Sequence, residues 1–184
     1  RKFYLECFIK KWWGIQFDQQ TYVRYRSISL GLIEEREKMG HTCNSIIINA
    51  PYELIFDISN DIPRWTELFG GEYKKAEVVK KEGNKITFRL TDDEGKSWQS
   101  WRLLFKENFL AYAEREEPKF PFKYMKIVWL YTLKPQGIEL TWIQHFEMDE
   151  KAKFNDEQVE GFINKHSREN LKIFKEVIER EAKK

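Results

Sequence analysis

The sequence predicts an α+β domain in which a curved antiparallel sheet wraps around a long C-terminal helix. Three observations lead to this fold class. Strand-like segments follow one another with tight turns between them, which is typical of an antiparallel meander. One further strand and two short helices precede them, and the chain ends in a long amphipathic helix. Such a sheet leaves a cavity between itself and the helix, where small-molecule sites are common.

The first elements follow Cys43. The segment NSIIIN predicts a short buried strand, and APYELIFDISND predicts a helix with Pro51 at a favourable first position. The segment IPRWTELF predicts a second short helix, which ends at Gly70 and Gly71. The sheet therefore begins with one strand that two helices separate from the others.

Six strand-like segments occupy the middle of the chain. They form three pairs: KKAEVVKK with NKITFRLT, KSWQSWRLLF with NFLAYAERE, and YMKIVWLYTLK with GIELTWIQHFEM. The turns within these pairs fall at Glu82-Gly83, at Lys106-Glu107 and at Pro135-Gln136-Gly137. Loops this short place successive strands side by side and antiparallel.

The last segment, FNDEQVEGFINKHSRENLKIFKEVIEREAKK, predicts one long helix. Asn155 or Asp156 can cap its N-terminus. One stripe faces the sheet, and it comprises Val159, Ile163, Asn170, Phe174 and Val177. An asparagine within this apolar stripe either bonds the sheet or a water, or contributes a polar group to the cavity.

Composition excludes several classes of function. The 184 residues carry a net charge of +2 and no long basic run, so no nucleic-acid partner is expected. No apolar run reaches the roughly 20 residues of a membrane span, so no membrane partner is expected either. The two cysteines make neither a disulfide framework nor a metal cluster, which favours a reducing cytoplasm. We expect no metal and no cofactor.

Aromatic residues make up 16% of the chain and predict a thick core, an apolar cavity or both. Alternation along YMKIVWLYTLK directs Leu133 toward the core, on the same side as Trp129. Strand alternation also places Gln144 on the mostly apolar face of its strand and Tyr131 on that of the preceding one. With Asn170 they are candidate polar groups of a cavity lined by aromatic rings. Each ring taken singly is better explained by plain core packing.

Familiar catalytic sets are missing from the sequence. The histidines are His41, His145 and His166, and none belongs to a grouping with metal-ligand spacing. No nucleophile elbow and no phosphate-binding glycine loop is present. These features argue against hydrolases, metalloenzymes and nucleotide-dependent enzymes.

The stretch SWQSWR raises the question of which strand face lies inside. Alternation places Ser100 and Arg102 on one face and Trp101 on the other. On alternation alone, Arg102 is exposed or pairs with Glu114 or Glu116. The alternative points an arginine and a serine into the protein.

Several segments together resemble the aromatase/cyclases of bacterial type II polyketide synthesis, the tetracenomycin aromatase/cyclase among them. They are NSIIINAPYELIFDISNDIPRWTELF, SWQSWR, FPFKYMKIVW, ELTWIQHFEMDEKAKF and RENLKIF. The resemblance covers about residues 43–180. It implies the helix-grip fold of START and Bet v 1-like proteins, with a deep cavity. It also implies an enzyme that folds a poly-β-ketone bound to an acyl carrier protein, closes its first rings by aldol chemistry and dehydrates them to aromatics. The other components of a type II polyketide synthase are then partners, in antibiotic biosynthesis.

The resemblance also implies roles for individual residues. Arg102 corresponds to the family's cavity arginine and Tyr73 to its cavity tyrosine, which makes them the candidate catalytic residues. The residues implied to bind substrate are Trp65, Trp98, Ser100, Trp129, Gln144 and Asn170. With Arg102 inside, the apolar residues Trp101, Leu103 and Phe105 lie on the convex face of the sheet.

The domain expectation follows from this convex face. We expect residues 39–184 to form the aromatase/cyclase domain and residues 1–38, which are rich in aromatics, to form an ordered extension that covers the apolar patch. A dimer could cover it too, and a chain start at Met39 would make the preceding residues incidental. Two other functions stay open: a non-catalytic helix-grip carrier of a lipid, quinone or other flat apolar ligand, and a protein-interaction module that uses the convex patch.

Overall fold

The computed structural model describes residues 39–184. The seven strands are β1 (Gly40–Ile48), β2 (Tyr73–Glu82), β3 (Lys85–Asp92), β4 (Ser97–Phe105), β5 (Leu110–Arg115), β6 (Phe122–Lys134) and β7 (Gly137–Met148). The helices are α1 (Tyr52–Ser59), α2 (Trp65–Leu68) and α3 (Asp156–Glu181). A 3-10 turn at Ile62–Arg64 precedes α2, and another follows β4 at Lys106–Asn108. This is the predicted order of elements.

All seven strands belong to one antiparallel sheet with the order β1-β7-β6-β5-β4-β3-β2. The strands β2 to β7 follow one another as the predicted meander, and β1 pairs with β7 in register from Gly40 opposite Phe146 to Ile48 opposite Ile138. Register shifts in the β2–β3 and β6–β7 pairs mark bulges, which bend a strand locally. The fold class predicted from the sequence is confirmed.

The helix α3 packs its apolar face against the sheet. Asn155 caps it: the Asn155 side chain accepts from the backbone N–H of Gln158 at 2.9 Å, and the Gln158 side chain accepts from the backbone N–H of Asn155 at 3.1 Å. The buried residues of the helix are Val159, Ser167, Asn170, Leu171, Phe174, Val177 and Ile178. The predicted stripe is therefore largely correct.

Aromatic side chains fill the space between α3 and the sheet. Trp129 on β6 stacks on Trp142 on β7 with 4.6 Å between ring centres, and Phe174 of α3 meets both tryptophans edge-on. Trp65 of α2 joins this cluster 5.8 Å from Trp129. Much of the predicted apolar interior is thus a core of packed rings.

Three details differ from the sequence predictions. The strand β1 begins at Gly40, four residues before the predicted segment, because the preceding residues also pair with β7. Pro51 is the N-cap of α1 rather than its first residue. Leu133 was predicted to face the core, but it is 78% exposed, two positions beyond the last inward-facing aromatic residue of β6.

The expected ordered extension at residues 1–38 lies outside the described residues. Within residues 39–184, no helix has the length and apolar character needed to cross a membrane.

Candidate active site

Arg102 lies on the inner face of β4 and is only 1% exposed. Ser100, two residues earlier on the same face, is also buried, and Trp98 is half-buried. Trp101 lies on the opposite face, where its ring is 5.5 Å from that of Tyr112. The strand therefore turns its arginine and serine toward the core, which is the less common of the two arrangements that alternation allows.

Small residues on β5 make room for the Arg102 side chain. Ala113 lies directly opposite Arg102, and Ala111 lies opposite Trp129 on the next strand. The guanidinium carbon sits 3.9 Å from the centre of the Trp129 ring and 5.7 Å from that of Trp65. The negative faces of these indoles attract a cation without removing its charge.

Hydrogen bonds use only part of the guanidinium. The Nε group of Arg102 donates to the side-chain oxygen of Asn60 at 2.7 Å. The Nη2 nitrogen is buried and has no hydrogen-bond partner among residues 39–184. No carboxylate of the described chain forms a salt bridge with this arginine. Burial lowers the pKa of Arg102 to about 10, while the nearby Tyr131 acts in the opposite direction. The group therefore stays cationic at neutral pH and keeps a donor available.

Tyr131 anchors this region to the end of α1. Its hydroxyl is 2.8 Å from the hydroxyl of Ser59 and accepts from the side-chain N–H of Asn60 at 2.9 Å. The pKa of Tyr131 is raised because burial outweighs the opposing effect of the nearby Arg102 charge. The hydroxyl predicted to contact substrate is thus engaged within the protein.

Tyr73 and Trp98 form a second group. Tyr73 opens β2, and its ring is 5.9 Å from Trp98 in an edge-to-face contact and 5.1 Å from Phe69. Burial raises the pKa of the Tyr73 hydroxyl above its ordinary value of 10. At neutral pH the hydroxyl is therefore a proton donor rather than a base.

The two candidate catalytic residues lie at different levels of the inner face. Trp98 and Arg102 are four residues apart on β4, which corresponds to about 13 Å along a strand. Tyr73 contacts the first of these residues and makes no hydrogen bond with the second. The structure therefore does not bring Tyr73 and Arg102 into one contact, although Trp65 and Phe69 connect their surroundings.

A second arginine also faces inward, and the sequence pattern did not predict it. Arg115 on β5 lies opposite Ser100, so both side chains share the inner face. Its guanidinium carbon is 5.2 Å from the Trp98 ring centre, and its buried Nε group has no hydrogen-bond partner within residues 39–184. Burial lowers the pKa of Arg115. Its position two residues beyond Ala113, which lies opposite Arg102, was the signal that could have revealed it.

Gln144 and Asn170 lie where the sheet meets α3. The Gln144 side-chain oxygen accepts from Thr42 at 2.8 Å and from Ser167 at 3.2 Å, so its NH2 group is the part left for a ligand. The side-chain NH2 of Asn170 donates to a carboxylate oxygen of Glu72 at 3.1 Å. Gln144 shares one cross-strand row with Arg102, three strands away.

A cavity of about 270 Å3 opens beside Asn60, between the end of α1 and strands β2 to β4. Its apolar lining comprises Phe56, Ile62, Val78, Ile86 and Leu104. Small-molecule sites usually measure about 300–1,000 Å3, so this cavity is smaller than most of them. None of the residues that the sequence predicted for the site lines it. Asn60 borders it and also holds Arg102.

Two of the three histidines lie apart from this site, and the third, His166, approaches it only through the Glu72 oxygen that accepts from Asn170. His41 and His145 contact each other on the exposed side of the sheet, with 3.1 Å between ring nitrogens. His166 is exposed and lies 3.5 Å from a Glu72 carboxylate oxygen. Within the described range, no three histidine, cysteine, aspartate or glutamate side chains are placed to hold a metal ion.

Solved structures share this architecture. An aromatase/cyclase from Streptomyces sp. R1128 aligns over 77% of this chain and 94% of its own, with a TM-score of 0.68 and 18% identity. A di-domain ARO/CYC from the steffimycin biosynthetic pathway aligns over 82% of this chain and 55% of its own, with a TM-score of 0.68 and 12% identity. At these identities the likeness shows the helix-grip fold alone.

Sequence comparison identifies the family. A protein of Streptomyces cyaneus named "Putative polyketide cyclase" is 41% identical over 145 residues, which cover 76% of this chain and 94% of the relative. The family model described as "Polyketide cyclase / dehydrase and lipid transport" matches residues 48–175, which contain Arg102 and the residues around it. The chain therefore belongs to the polyketide cyclase/dehydrase and lipid transport family.

Proposed function

We propose that this protein is an aromatase/cyclase. It folds a poly-β-ketone carried by an acyl carrier protein, alongside other type II polyketide synthase components in the cytoplasm, and closes and aromatises a ring. Family membership and the named relative support a polyketide substrate. The observation that carries the chemistry is the buried, uncompensated Arg102 guanidinium with a free donor.

An aldol closure develops negative charge on oxygen. A water molecule takes a proton from a methylene group between two carbonyls, which gives an enolate, and this proton is returned to the alkoxide that the ring closure forms. The enolate carbon attacks a ketone of the same chain, a carbon–carbon bond forms, and the electron pair of the attacked carbonyl moves to its oxygen. A donor aimed at that oxygen in a site shielded from bulk water contributes typically about 3–4 kcal/mol. The Nη2 group of Arg102 is such a donor, and its charge persists at neutral pH.

The dehydration needs an acid for the departing hydroxyl. The alkoxide takes up a proton, and loss of water gives a double bond that enolisation of the ring converts to an aromatic system. Tyr73 supplies or relays a proton because its hydroxyl stays protonated at neutral pH. Since Tyr73 and Arg102 lie at different levels, each serves a different carbonyl of one chain.

Other inward polar groups orient the substrate. A poly-β-ketone carries a carbonyl on every second carbon, so a chain along the inner face meets a series of donors. They are Ser100, Arg115 and the NH2 group of Gln144, with Asn170 near α3. Walls formed by Trp65, Trp98 and Trp129 restrict how the chain folds, which is catalysis by orientation.

Reconstitution with a minimal type II polyketide synthase tests the proposal. Added wild-type protein should shift the products toward one aromatic regioisomer, and Arg102→Ala should lose that shift. Arg102→Lys should restore it poorly because a point charge lacks the planar fork. Arg89→Ala, which removes an exposed arginine from the neighbouring strand, is the matched control and should behave as wild type.

The same experiment separates the enzyme from a carrier. A non-catalytic carrier of a lipid, quinone or other flat apolar ligand would leave the product profile unchanged when added. Wild-type protein that binds aromatic products but does not alter their distribution would therefore contradict the enzymatic proposal.

A further inference from the structure

Asn60 lies directly after α1, and its side chain makes contacts on both sides. It is 6% exposed. Its NH2 group donates to the carbonyl oxygen of Phe56 at 2.7 Å and to the Tyr131 hydroxyl at 2.9 Å. A carbonyl oxygen can only accept, so the NH2 group must face Phe56 and the amide oxygen must face Arg102. The orientation of the amide is thus fixed by its neighbours.

This fixed oxygen holds one side of the guanidinium. It accepts from the Nε group of Arg102 at 2.7 Å, and Trp129 lies against the guanidinium face at 3.9 Å. Together these contacts determine the direction in which the Nη2 nitrogen points. The nitrogen that has no partner is therefore held in place rather than free to rotate.

The hydrogen-bond partner of Arg102 is uncharged, which is unusual for a buried arginine. A fully buried arginine is usually paired with a carboxylate, because an isolated buried charge is costly. Here the partner is a neutral amide. The two acidic residues nearest to it in sequence do not pair with Arg102: Asp57 pairs with Lys106 at 2.5 Å, and Asp61 is exposed. Hydrogen bonding without a counter-charge leaves the full positive charge for a ligand.

We propose that Asn60 is a positioning residue that orients the Arg102 guanidinium toward the ligand and, by being neutral, keeps its charge uncompensated. This inference rests on the proposed role of Arg102. Position 60 then requires an amide, and a charged hydrogen-bond acceptor would not replace it.

Asn60→Asp and Asn60→Ala distinguish this role from simple packing. Aspartate keeps an acceptor for Nε but places a negative charge beside the guanidinium, which itself favours the ionised carboxylate. Alanine removes the acceptor and adds no charge. Both variants lose the NH2 group that donates to the Phe56 carbonyl oxygen and to the Tyr131 hydroxyl, so we expect both to melt below wild type. In the reconstituted synthase, Asn60→Asp should lose more of the regiospecific product than Asn60→Ala does, on the order of 100-fold relative to wild type, as for removal of an oxyanion donor.

A matched control repeats the substitution elsewhere. Asn44 is buried, and its side-chain oxygen accepts from the Nε group of Arg168 at 3.1 Å, so the same pair of groups occurs away from the site. Asn44→Asp should leave the product distribution unchanged. Thermal melting of each variant shows whether it folds, so that a loss of product is not confused with a loss of structure.

The orientation can be read without any activity. The Nε–H signal of Arg102 in nitrogen-15 NMR should exchange slowly in wild type and in Asn60→Asp, and rapidly in Asn60→Ala. An Asn60→Asp protein with more product than Asn60→Ala, or with Nε exchange as fast, would overturn the inference. A wild type with no effect on products would instead overturn the proposed function, and the NMR result would still decide whether Asn60 positions the guanidinium.

Discussion

Replacing Arg102 with methionine should abolish selectivity at almost no cost in stability. A core side chain that is 1% exposed would ordinarily cost about 2–5 kcal/mol when truncated. Methionine, however, fills much of the same space and carries no charge to desolvate. Buried ion pairs replaced by well-packed apolar residues are often neutral or stabilising, and Arg102 lacks even the compensating partner.

The magnitude follows from three terms. Burial lowers the pKa of Arg102 from 12.5 to about 10, which corresponds to about 3 kcal/mol. Because the folded state has the lower pKa, this free energy opposes folding at neutral pH and is relieved only as the pH rises through about 10. Against it stand about 1–3 kcal/mol for leaving the Asn60 oxygen unpaired and about 0.5–2 kcal/mol for the lost contacts with the indoles. The free energy of unfolding should therefore stay within about 2 kcal/mol of wild type.

Urea denaturation of wild type and Arg102→Met, followed by tryptophan fluorescence, measures this difference. Product analysis with a minimal polyketide synthase measures selectivity for the same two proteins. A loss of stability above about 4 kcal/mol would show that Arg102 chiefly supports the fold. A wild-type product profile from Arg102→Met would remove the arginine from the mechanism.

Three further outcomes are expected. Trp129→Phe should change which products form and should cost less stability than an alanine substitution, which would cost about 3–5 kcal/mol. Unchanged products with a large loss of stability would make Trp129 a plain core residue. Removal of residues 1–38 should lower the melting temperature or cause association, as measured by thermal melting and light scattering. An unchanged melting temperature with a monodisperse monomer would contradict the expectation that these residues cover the apolar patch. Partial desolvation of the exposed His145 lowers its pKa, and His41 and Lys126 lower it further. Because the folded state disfavours the charged imidazole, stability should fall as the pH drops below the ordinary pKa of about 6.5. Melting of wild type and His145→Gln between pH 7 and pH 5 checks this, and equal losses in the two proteins would refute it.

Local patterns predicted the fold well because its elements have strong signatures. Paired strand segments with short turns fixed the meander, and the capped amphipathic segment fixed α3. Leu133 was misplaced because alternation identifies a face but not the point at which that face loses its cover. Asn60 was missed because its partner lies 42 residues away and is brought to it only by packing of α1 against the sheet.

Alternation along β4 does not show which of its faces lies inside, but the residues paired with it on β5 do. Either face of β4 carries aromatic or polar side chains, so the strand by itself does not say which side is inside. The neighbouring strand distinguishes them, because the partner of Arg102 is Ala113, whereas the outward Leu103 pairs with the large Tyr112. A long cation folded over a sheet needs a small residue opposite it, since otherwise its guanidinium could not reach the Trp129 ring at 3.9 Å. An arginine whose cross-strand partner is alanine, on a face that continues into a tryptophan, is therefore a sequence signal for an inward cation, and it becomes visible once the hairpin register is known.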